Sequence, residues 1–254
     1  MIVKAFAIKC LTNMHVGNGD VNFNIIDNEV ERDPVTNYPT INSSGVKGAL
    51  REFFEAEAKD KVNDIFGTGS EKNEGIKSGK IRFLSANMLA LPMRASGGSE
   101  AFYMVTTDKA IELFNSIAGG LTNGKAKKVS CTPTDKKAWI DGKEHKLMSG
   151  LEDFGIADVV VMKEGEFSAD NNQVTLPVTA RNCLENGKSV NLWYEEVVPH
   201  ESVFTMFMIA NDTDRELLEF VADKVTSSPV QFGGNATIGY GVCSMSLLGG
   251  QCNE

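Results

Sequence analysis

The 254-residue sequence lacks the features that mark several large classes of protein. No apolar run approaches the roughly 18 residues that a membrane-spanning helix needs. The first residues show no basic segment before an apolar stretch, as a secretory signal would. We therefore expect a cytoplasmic protein that makes no membrane contact. The five cysteines are scattered and form no CxxC pair, which favours reduced thiols over a disulfide framework or a structural zinc site.

Motifs of nucleotide and hydrolase chemistry are also missing. The sequence has no GxxxxGK[ST] phosphate loop, no GxSxG nucleophile turn and no HExxH zinc motif. Positive charge is scarce as well, because 25 Lys and Arg stand against 34 Asp and Glu, for a net charge of −9. Such a balance argues against a free nucleic-acid-binding domain, since phosphate contacts require positive charge.

The charge is distributed unevenly along the chain. Residues 81–150 hold ten basic and six acidic residues, whereas residues 151–254 hold five basic and sixteen acidic ones. A basic middle and an acidic final third indicate faces with different partners, or else an ordinary solvated acidic surface.

The hydrophobic pattern predicts a β–α–β…β–α–β skeleton with long insertions. The predicted strands cover 2–11, 80–91, 101–106, 159–162, 173–179, 203–210 and 239–248, and the predicted helices cover 43–60, 108–118 and 213–225. This order is typical of an α+β fold of the ferredoxin-like or RRM type, and we expect residues 1–254 to form one such domain. The Lys-, Gly- and Thr-rich composition of 119–150 predicts an exposed, mobile stretch, within a basic flexible insertion over 92–150.

Two segments near the first strand carry residues that suit chemistry. In residues 15–19 (HVGNG), two glycines allow close backbone approach to an anion, and His15 is a candidate acid, base or phosphate donor. In residues 27–33 (DNEVERD), carboxylates alternate, so an extended chain would point them to one side. Such a group can hold Mg²⁺ or supply a base, or it can form a solvated acidic edge.

Two further segments suit contact with phosphates. In residues 44–51 (SGVKGALR), Lys47 and Arg51 lie four apart on one face of a predicted helix whose first turn offers free N–H groups. An ordinary amphipathic helix would look the same. Residues 232–241 (FGGNATIGYG) contain four glycines and predict a tight loop that cradles phosphates or bases, although hairpins also use such runs.

These four segments, in this order, resemble the backbone-forming RAMP (repeat-associated mystery protein) subunits of type III CRISPR effector complexes. The shared pattern is H-x-G-x-G, then an Asp before R-D-x-x-T-x-x-P-x-I, then S-x-x-K-G-x-x-R, then G-G-N-x-T-x-G-x-G. Residues 192–199 (LWYEEVVP) and 87–94 (NMLALPMR) resemble the type III-B (Cmr) branch of that family.

The resemblance implies a subunit that binds a CRISPR RNA and stacks with copies of itself and with other Cmr-type subunits in a helical filament. It further implies cleavage of complementary target RNA at regular intervals by Asp27, with a divalent metal such as Mg²⁺ held at Asp27 and with support from His15. A palm of RRM-like fold would carry a β-hairpin thumb at about 181–195. The residues that the resemblance assigns to RNA contacts are Lys47, Arg51, Arg181, Lys188, Gly233, Gly234, Asn235, Thr237 and Gly239.

Three other interpretations stay open at this point. The chain could be a structural guide-RNA-binding subunit without catalytic activity. It could be a CRISPR RNA-processing endoribonuclease that works without metal and relies on His15. It could also be an acidic adaptor that binds no RNA.

Overall fold

The computed structural model describes residues 1–19, 25–68, 76–168 and 174–249. The strands are β1 (Ile2–Cys10), β2 (Thr40–Ile41), β3 (Ile81–Phe83), β4 (Ala86–Gly97), β5 (Phe102–Thr107), β6 (Thr132–Ile140), β7 (Lys143–Ser149), β8 (Val159–Met162), β9 (Val178–Glu185), β10 (Lys188–Glu196), β11 (Val203–Ala210), β12 (Val230–Gln231) and β13 (Val242–Leu247). The helices are α1 (Ser43–Glu57), α2 (Val62–Phe66), α3 (Asp108–Leu121), α4 (Glu164–Phe167) and α5 (Arg215–Ser227).

The first strand lies at the centre of a large sheet. β1 is antiparallel to β11 on one side and to β13 on the other, so that Phe6 stands opposite both Met206 and Leu247. Beyond β11 come β3 and the first part of β4. A mixed α/β architecture with a large sheet is therefore confirmed, and its order from one side is β13, β1, β11 and then β3 with β4.

Both faces of β1 are buried, because helices cover both sides of the sheet. Phe6 and Ile8 contact the core cluster that α1 and α5 complete, whereas Ala5 and Ala7 contact a second cluster that includes Phe114 of α3. Helix α1 buries Val46, Leu50 and Phe54, which recur every four residues on one face. This packing holds the carboxyl end of β1, and the loop that follows it, on a rigid support.

The structure differs from the expectation of a flexible insertion over 92–150. β4 leaves the central sheet after its first residues and continues against β5, and the strands β4, β5, β8, β7 and β6 close into a ring because Ala95 and Gly97 of β4 pair with β6. Alternate residues of β6 and β7, such as Ala138, Ile140 and Leu147, are buried inside this ring. The lysines of these two strands are exposed, and they give the sequence its loop-like composition.

Smaller differences concern where elements begin. The strand predicted over 173–179 is absent at 174–177, and β9 begins only at Val178. The last strand begins at Val242 rather than 239, because Ala236–Ile238 forms a 3₁₀ turn. In the described part of the chain, no helix is long and apolar enough to cross a membrane.

Strands β9 and β10 form a separate two-stranded hairpin. Its tip is Asn186-Gly187, and both residues have positive φ (50° and 78°). An Asn-Gly pair with this backbone matches the right-handed twist of the flanking strands, so the sequence itself specifies a tight turn here. The hairpin spans 178–196, close to the segment 181–195 for which the sequence analysis predicted a hairpin.

Candidate functional site

The loop that follows β1 is held between three other segments. Met14 pairs with Val198, and Gly17 pairs with Val30. The N–H of Gly234 donates a hydrogen bond to the carbonyl of His15 at 2.9 Å. His15 therefore lies where the segment after β1, the end of β10 and the glycine-rich loop meet.

The imidazole of His15 is enclosed, with 8% of the residue exposed. Its Nδ1 lies 2.7 Å from the carbonyl oxygen of Glu196, so Nδ1 carries the hydrogen and donates it. Its Nε2 lies 3.8 Å from Oε1 of Glu195. A Cβ at position 17 would lie 3.0 Å from that Nε2, which explains why a glycine stands at Gly17.

Glu195 is the residue that joins the surrounding elements. It is 3% exposed, and its Oε2 accepts a hydrogen bond from Arg181 of β9 at 3.0 Å. Its Oε1 accepts one from Nδ2 of Asn235 at 2.9 Å. A buried carboxylate is costly unless it is paired and hydrogen-bonded, and these partners satisfy it. Glu195 therefore ties the hairpin to the glycine-rich loop beside His15.

The neighbouring Glu196 faces the other side of the strand, as alternate residues do. It is 4% exposed; its Oε1 accepts a hydrogen bond from Arg32 at 2.5 Å, and its Oε2 accepts one from the N–H of Val30 at 3.0 Å. Arg32 also donates to the carbonyls of Asn37 and Val174. Arg32 therefore has a structural role, because it joins the segment after β1 to the end of β10 and does not face solvent.

Asp27 is exposed and is fixed to the base of the hairpin. Its Oδ2 accepts a hydrogen bond from the N–H of Tyr194 at 2.8 Å. In return, the N–H groups of Asp27 and Asn28 donate to the Tyr194 carbonyl at 3.1 and 3.2 Å. Within the described ranges, Oδ1 of Asp27 has no hydrogen-bond partner, which leaves one carboxylate oxygen for a ligand.

The alternating carboxylates of 27–33 do not form the one-sided cluster expected from an extended chain. Asp33 turns back, and its Oδ1 accepts hydrogen bonds from the N–H groups of Val35 and Thr36 and from the Thr36 hydroxyl. Among the residues that the structure describes, no three His, Cys, Asp or Glu side chains lie close enough together to hold a metal ion. Asp27 has one carboxylate oxygen without a hydrogen bond in the described ranges, and Mg²⁺ commonly takes only one or two protein carboxylates when substrate phosphates complete its coordination.

The glycine-rich loop packs directly against the His15 segment. Gly233 has a φ of 76°, and a Cβ there would lie 2.3 Å from the carbonyl oxygen of His15. Thr237 lies exposed in the 3₁₀ turn of this loop, and Gly239 ends that turn with a φ of 84°. The positive φ favours glycine at both positions, and at Gly233 the close approach to His15 requires it as well.

The other charged residues predicted to contact RNA lie at several places in the fold. Lys47 is exposed on α1, which packs against β12 just before the glycine-rich loop. Arg51 is partly occupied, because it donates to the carbonyl of Gly67 at 3.1 Å and lies 3.7 Å from Glu55. Lys188 is exposed at the hairpin tip, and Arg181 lies over the ring of Trp193.

The structure thus brings six predicted residues together, and it adds two that sequence reasoning missed. Asp27, His15, Arg181, Gly233, Gly234 and Asn235 surround the end of β10. The missed residues are Glu195 and Glu196. Their one sequence signal was two adjacent acidic residues between the apolar stretches of 192–199.

Comparison with known proteins shows which family this chain belongs to. The model of the RAMP superfamily matches residues 7–244. The chain belongs to the RAMP superfamily.

The particular relatives lie in one branch of that superfamily. The chain is 26% identical to the CRISPR system Cmr endoribonuclease Cmr4 of Pyrococcus furiosus, over 93% of this chain and 92% of the relative. Its fold matches a chain of the type III-B Cmr-beta complex bound to cognate target RNA, with a TM-score of 0.76, 22% identity and coverage of 98% of both chains. It also matches oligomeric Cmr4 from Pyrococcus furiosus, with a TM-score of 0.70, 20% identity and coverage of 97% and 98%. The expected likeness to the type III-B branch is confirmed.

Proposed function

We propose that this chain is a guide-RNA-binding backbone subunit of a type III-B CRISPR effector complex and that it cleaves complementary target RNA at regular intervals. A relative that matches nearly the whole chain is named an endoribonuclease. A solved complex of the same fold is bound to cognate target RNA, and another relative is oligomeric. Copies of this chain, other Cmr-type subunits, a CRISPR RNA and a target RNA are the partners that this function requires.

The fold supplies the parts that such a subunit needs. The strand order β13, β1, β11 and then β3 with β4, crossed by α1 and α5, is the order of a ferredoxin-like domain, and we assign it as the palm. We assign the β9–β10 hairpin as the thumb. Leu184, Val190, Leu192 and Tyr194 are exposed on it, and apolar and aromatic groups of this kind suit contact with unstacked bases.

The observation that carries the catalytic proposal is the placement of Asp27. One of its oxygens accepts a hydrogen bond from Tyr194 of the β9–β10 hairpin, and the other has no hydrogen-bond partner in the described part of the chain. A nucleotide displaced by the hairpin would therefore lie beside a fixed carboxylate. RNA carries its own nucleophile, the 2′-OH, and cleavage needs that group deprotonated and in line with the phosphorus. Holding the reacting groups in this geometry supplies much of the rate.

Asp27 fits either of two roles, as the base that takes the 2′-OH proton or as a ligand of a divalent cation. A bound Mg²⁺ would stabilise the negative charge that develops on the phosphate oxygens. Asp27 is the residue of this chain that would hold it, with phosphate oxygens of the RNA as further ligands.

His15 has a structural role beside the site and does not contact RNA directly, because its imidazole is buried. Its Nδ1 is engaged by Glu196, and its Nε2 faces the buried Glu195. This enclosure weighs against the processing-enzyme interpretation, in which an accessible histidine acts on the phosphate. The exposed Lys47 and the hairpin residue Lys188 are the groups best placed for phosphates of the guide RNA.

The experiment uses complexes assembled on a guide RNA and an end-labelled matched target. We expect the wild-type complex to give regularly spaced products and the Asp27→Ala complex to assemble, bind target and leave it intact. Asp223→Asn, at an exposed position of α5, is the matched control and should cleave normally. Cleavage at the wild-type rate by Asp27→Ala would contradict the assignment.

Two further arms separate the alternatives. Intact target with the wild-type complex would indicate a purely structural subunit. Cleavage of free repeat RNA by the lone protein in EDTA, lost in His15→Ala, would indicate a processing enzyme. Loss of target cleavage in EDTA, restored by Mg²⁺, is the expected result if Asp27 works with a metal.

A further inference from the structure

The outer face of the β6–β7 hairpin carries an exposed aromatic ring beside a pair of positive charges, and Glu144 of β7 stands opposite the ring. Trp139 of β6 is 39% exposed. Lys137 lies two residues before it on the same side of the strand. Lys146 of β7 stands directly opposite Lys137 in the strand register. We call Lys137, Trp139 and Lys146 the β6–β7 face.

Folding alone does not account for the charges of this face. Like charges directly opposite each other on two strands destabilise the pair. Glu144 offsets part of the cost, because its carboxylate lies 2.8 Å from Nζ of Lys137. For Lys146, no ion pair occurs within the described ranges. An anionic ligand at this face would relieve the repulsion between the two lysines.

The indole of Trp139 is held in place by the strand behind it. Trp139 pairs with Gly97 of β4, and a Cβ at position 97 would lie only 3.4 Å from the Cβ of Trp139. The ring is therefore a fixed and partly exposed flat surface. Fixed aromatic rings flanked by lysines suit single-stranded nucleic acid, because a base stacks on the ring while the lysines contact adjacent phosphates.

The charge distribution directs a polyanion to this part of the chain. Residues 81–150 have four more basic than acidic residues, whereas the whole chain has a net charge of −9. Most of the remaining surface repels RNA, so the attraction is concentrated on the strands that carry the lysines. An acidic protein would also be attracted, but it would not explain an exposed indole beside the two lysines.

We propose that Lys137, Trp139 and Lys146 form a second binding surface for single-stranded RNA, separate from the Asp27 site. In the sheet, β6 lies at the opposite end from β12 and β13, which flank the glycine-rich loop. The surface would contact a stretch of RNA outside the segment that the β9–β10 hairpin contacts. This inference goes beyond the proposed function, because it does not require cleavage by this chain.

The chain contains two tryptophans, Trp139 and Trp193, which makes the proposal directly measurable. In the full-length Trp193→Phe variant, Trp139 is the sole source of indole fluorescence. Titration with a single-stranded RNA oligonucleotide is expected to quench this fluorescence saturably. Adding Lys137→Ala and Lys146→Ala should weaken the titration and lower its salt slope by about 1.4, since each phosphate contact on a single strand contributes about 0.7.

Binding followed by anisotropy of labelled RNA provides the second readout. Trp139→Ala is expected to weaken binding about tenfold, whereas Trp139→Phe, which still stacks, should retain most of the affinity. The matched control is the double variant Lys80→Ala/Lys109→Ala, which removes two exposed lysines elsewhere. Its salt slope should stay closer to that of the parent than the slope of the Lys137/Lys146 variant.

Three outcomes would overturn the proposal. The first is unchanged Trp139 fluorescence at RNA concentrations that saturate anisotropy. The second is equal loss of affinity in the control and in the Lys137/Lys146 variant. The third is normal RNA binding by all variants together with failure to join the complex, which would make the face a protein interface.

Two controls separate a folding defect from lost stacking. Trp139→Phe keeps an aromatic ring, and thermal unfolding shows whether each variant is folded. Target cleavage by complexes with intact Asp27 separates this result from failure of the proposed function.

Discussion

The carboxylate of Asp27 and the backbone of Tyr194 hold each other in both directions. Oδ2 of Asp27 accepts from the Tyr194 N–H at 2.8 Å, and the Tyr194 carbonyl accepts from the Asp27 N–H at 3.1 Å. Tyr194 is followed on β10 by Glu195, which binds Arg181 and Asn235. The loop proposed to cleave RNA and the hairpin proposed to displace a nucleotide are therefore one connected unit.

Replacing Glu195 tests how strongly this unit depends on one buried carboxylate. In Glu195→Gln, the amide cannot accept at both positions, so the hydrogen bond to Arg181 or to Asn235 is lost. We expect the free energy of unfolding to fall by about 1–3 kcal/mol. Chemical denaturation measures it. Glu201→Gln is the control, because its ion pair with Lys9 is partly exposed and is worth about 0–1 kcal/mol. Equal effects would contradict the role given to Glu195.

Two neighbouring glycines of the glycine-rich loop, Gly233 and Gly234, should respond differently to replacement by alanine. Gly233→Ala places a Cβ 2.3 Å from the His15 carbonyl oxygen at a φ of 76°. The left-handed conformation alone costs about 1–2 kcal/mol, and the contact adds to it. Gly234→Ala meets no described atom within 4 Å and should change the melting temperature little. A similar melting temperature for the two variants would show that the loop does not pack on His15 in this way.

Breaking the buried ion pair between Arg32 and Glu196 should greatly reduce the stability of the fold. Arg32→Ala leaves the carboxylate of Glu196 buried without its cation, and breaking a buried pair in this way costs about 3–5 kcal/mol. Lys109→Ala, which breaks the exposed pair with Glu112, should change the stability little, because solvent screens this pair. Urea denaturation of both variants measures the difference, and a small effect of Arg32→Ala would mean that Glu196 finds another partner.

The cysteines should differ sharply in reactivity. The hydrogen bond between Cys10 and Cys243, followed by burial, raises the pKa of the Cys10 thiol well above its ordinary value. Burial also raises the pKa of Cys131, whereas Cys183 is exposed on the hairpin. At pH 8, we expect iodoacetamide to modify Cys183 fastest, Cys131 more slowly and Cys10 hardly at all, because the thiolate is the nucleophile.

Peptide mapping by mass spectrometry measures these rates, in a Cys252→Ser background because Cys252 lies outside the described residues. Denaturant should make the remaining thiols equally reactive. The raised pKa of Cys10 also means that the unfolded chain loses its thiol proton first. The free energy of unfolding should therefore fall as the pH rises above the ordinary thiol pKa of about 8.5. Labelling of Cys10 at the rate of Cys183 would contradict the burial of the pair.

The sequence predicted those elements whose signal is local. Helix α1 follows from apolar residues that recur every four positions, and the β9–β10 turn follows from Asn186-Gly187. The strands β6 and β7 differ from the loop expected there, because most of their residues are exposed and only Ala138, Ile140 and Leu147 of these two strands are buried. Their apolar face becomes meaningful only when β4 and β5 close around it.

The candidate site divides in the same way. Short motifs located Asp27 and the glycine-rich loop, since each motif is continuous in sequence. A short motif could not identify Glu196 as a site residue, because its partner Arg32 lies 164 residues away in the sequence. For Glu195, the contact with Asn235 spans 40 residues. Such contacts depend on the packing of three segments around His15, which no local pattern specifies.

The most direct test of the central claim, that each copy cuts target RNA with its own Asp27, is cleavage by complexes assembled from mixed subunits. Wild-type and Asp27→Ala chains are combined in graded ratios on one guide RNA, and the products from an end-labelled target are measured under single-turnover conditions. We predict that cleavage at every position falls in proportion to the wild-type fraction, with the product positions unchanged. Cleavage that does not depend on the fraction of Asp27→Ala chains would contradict the claim.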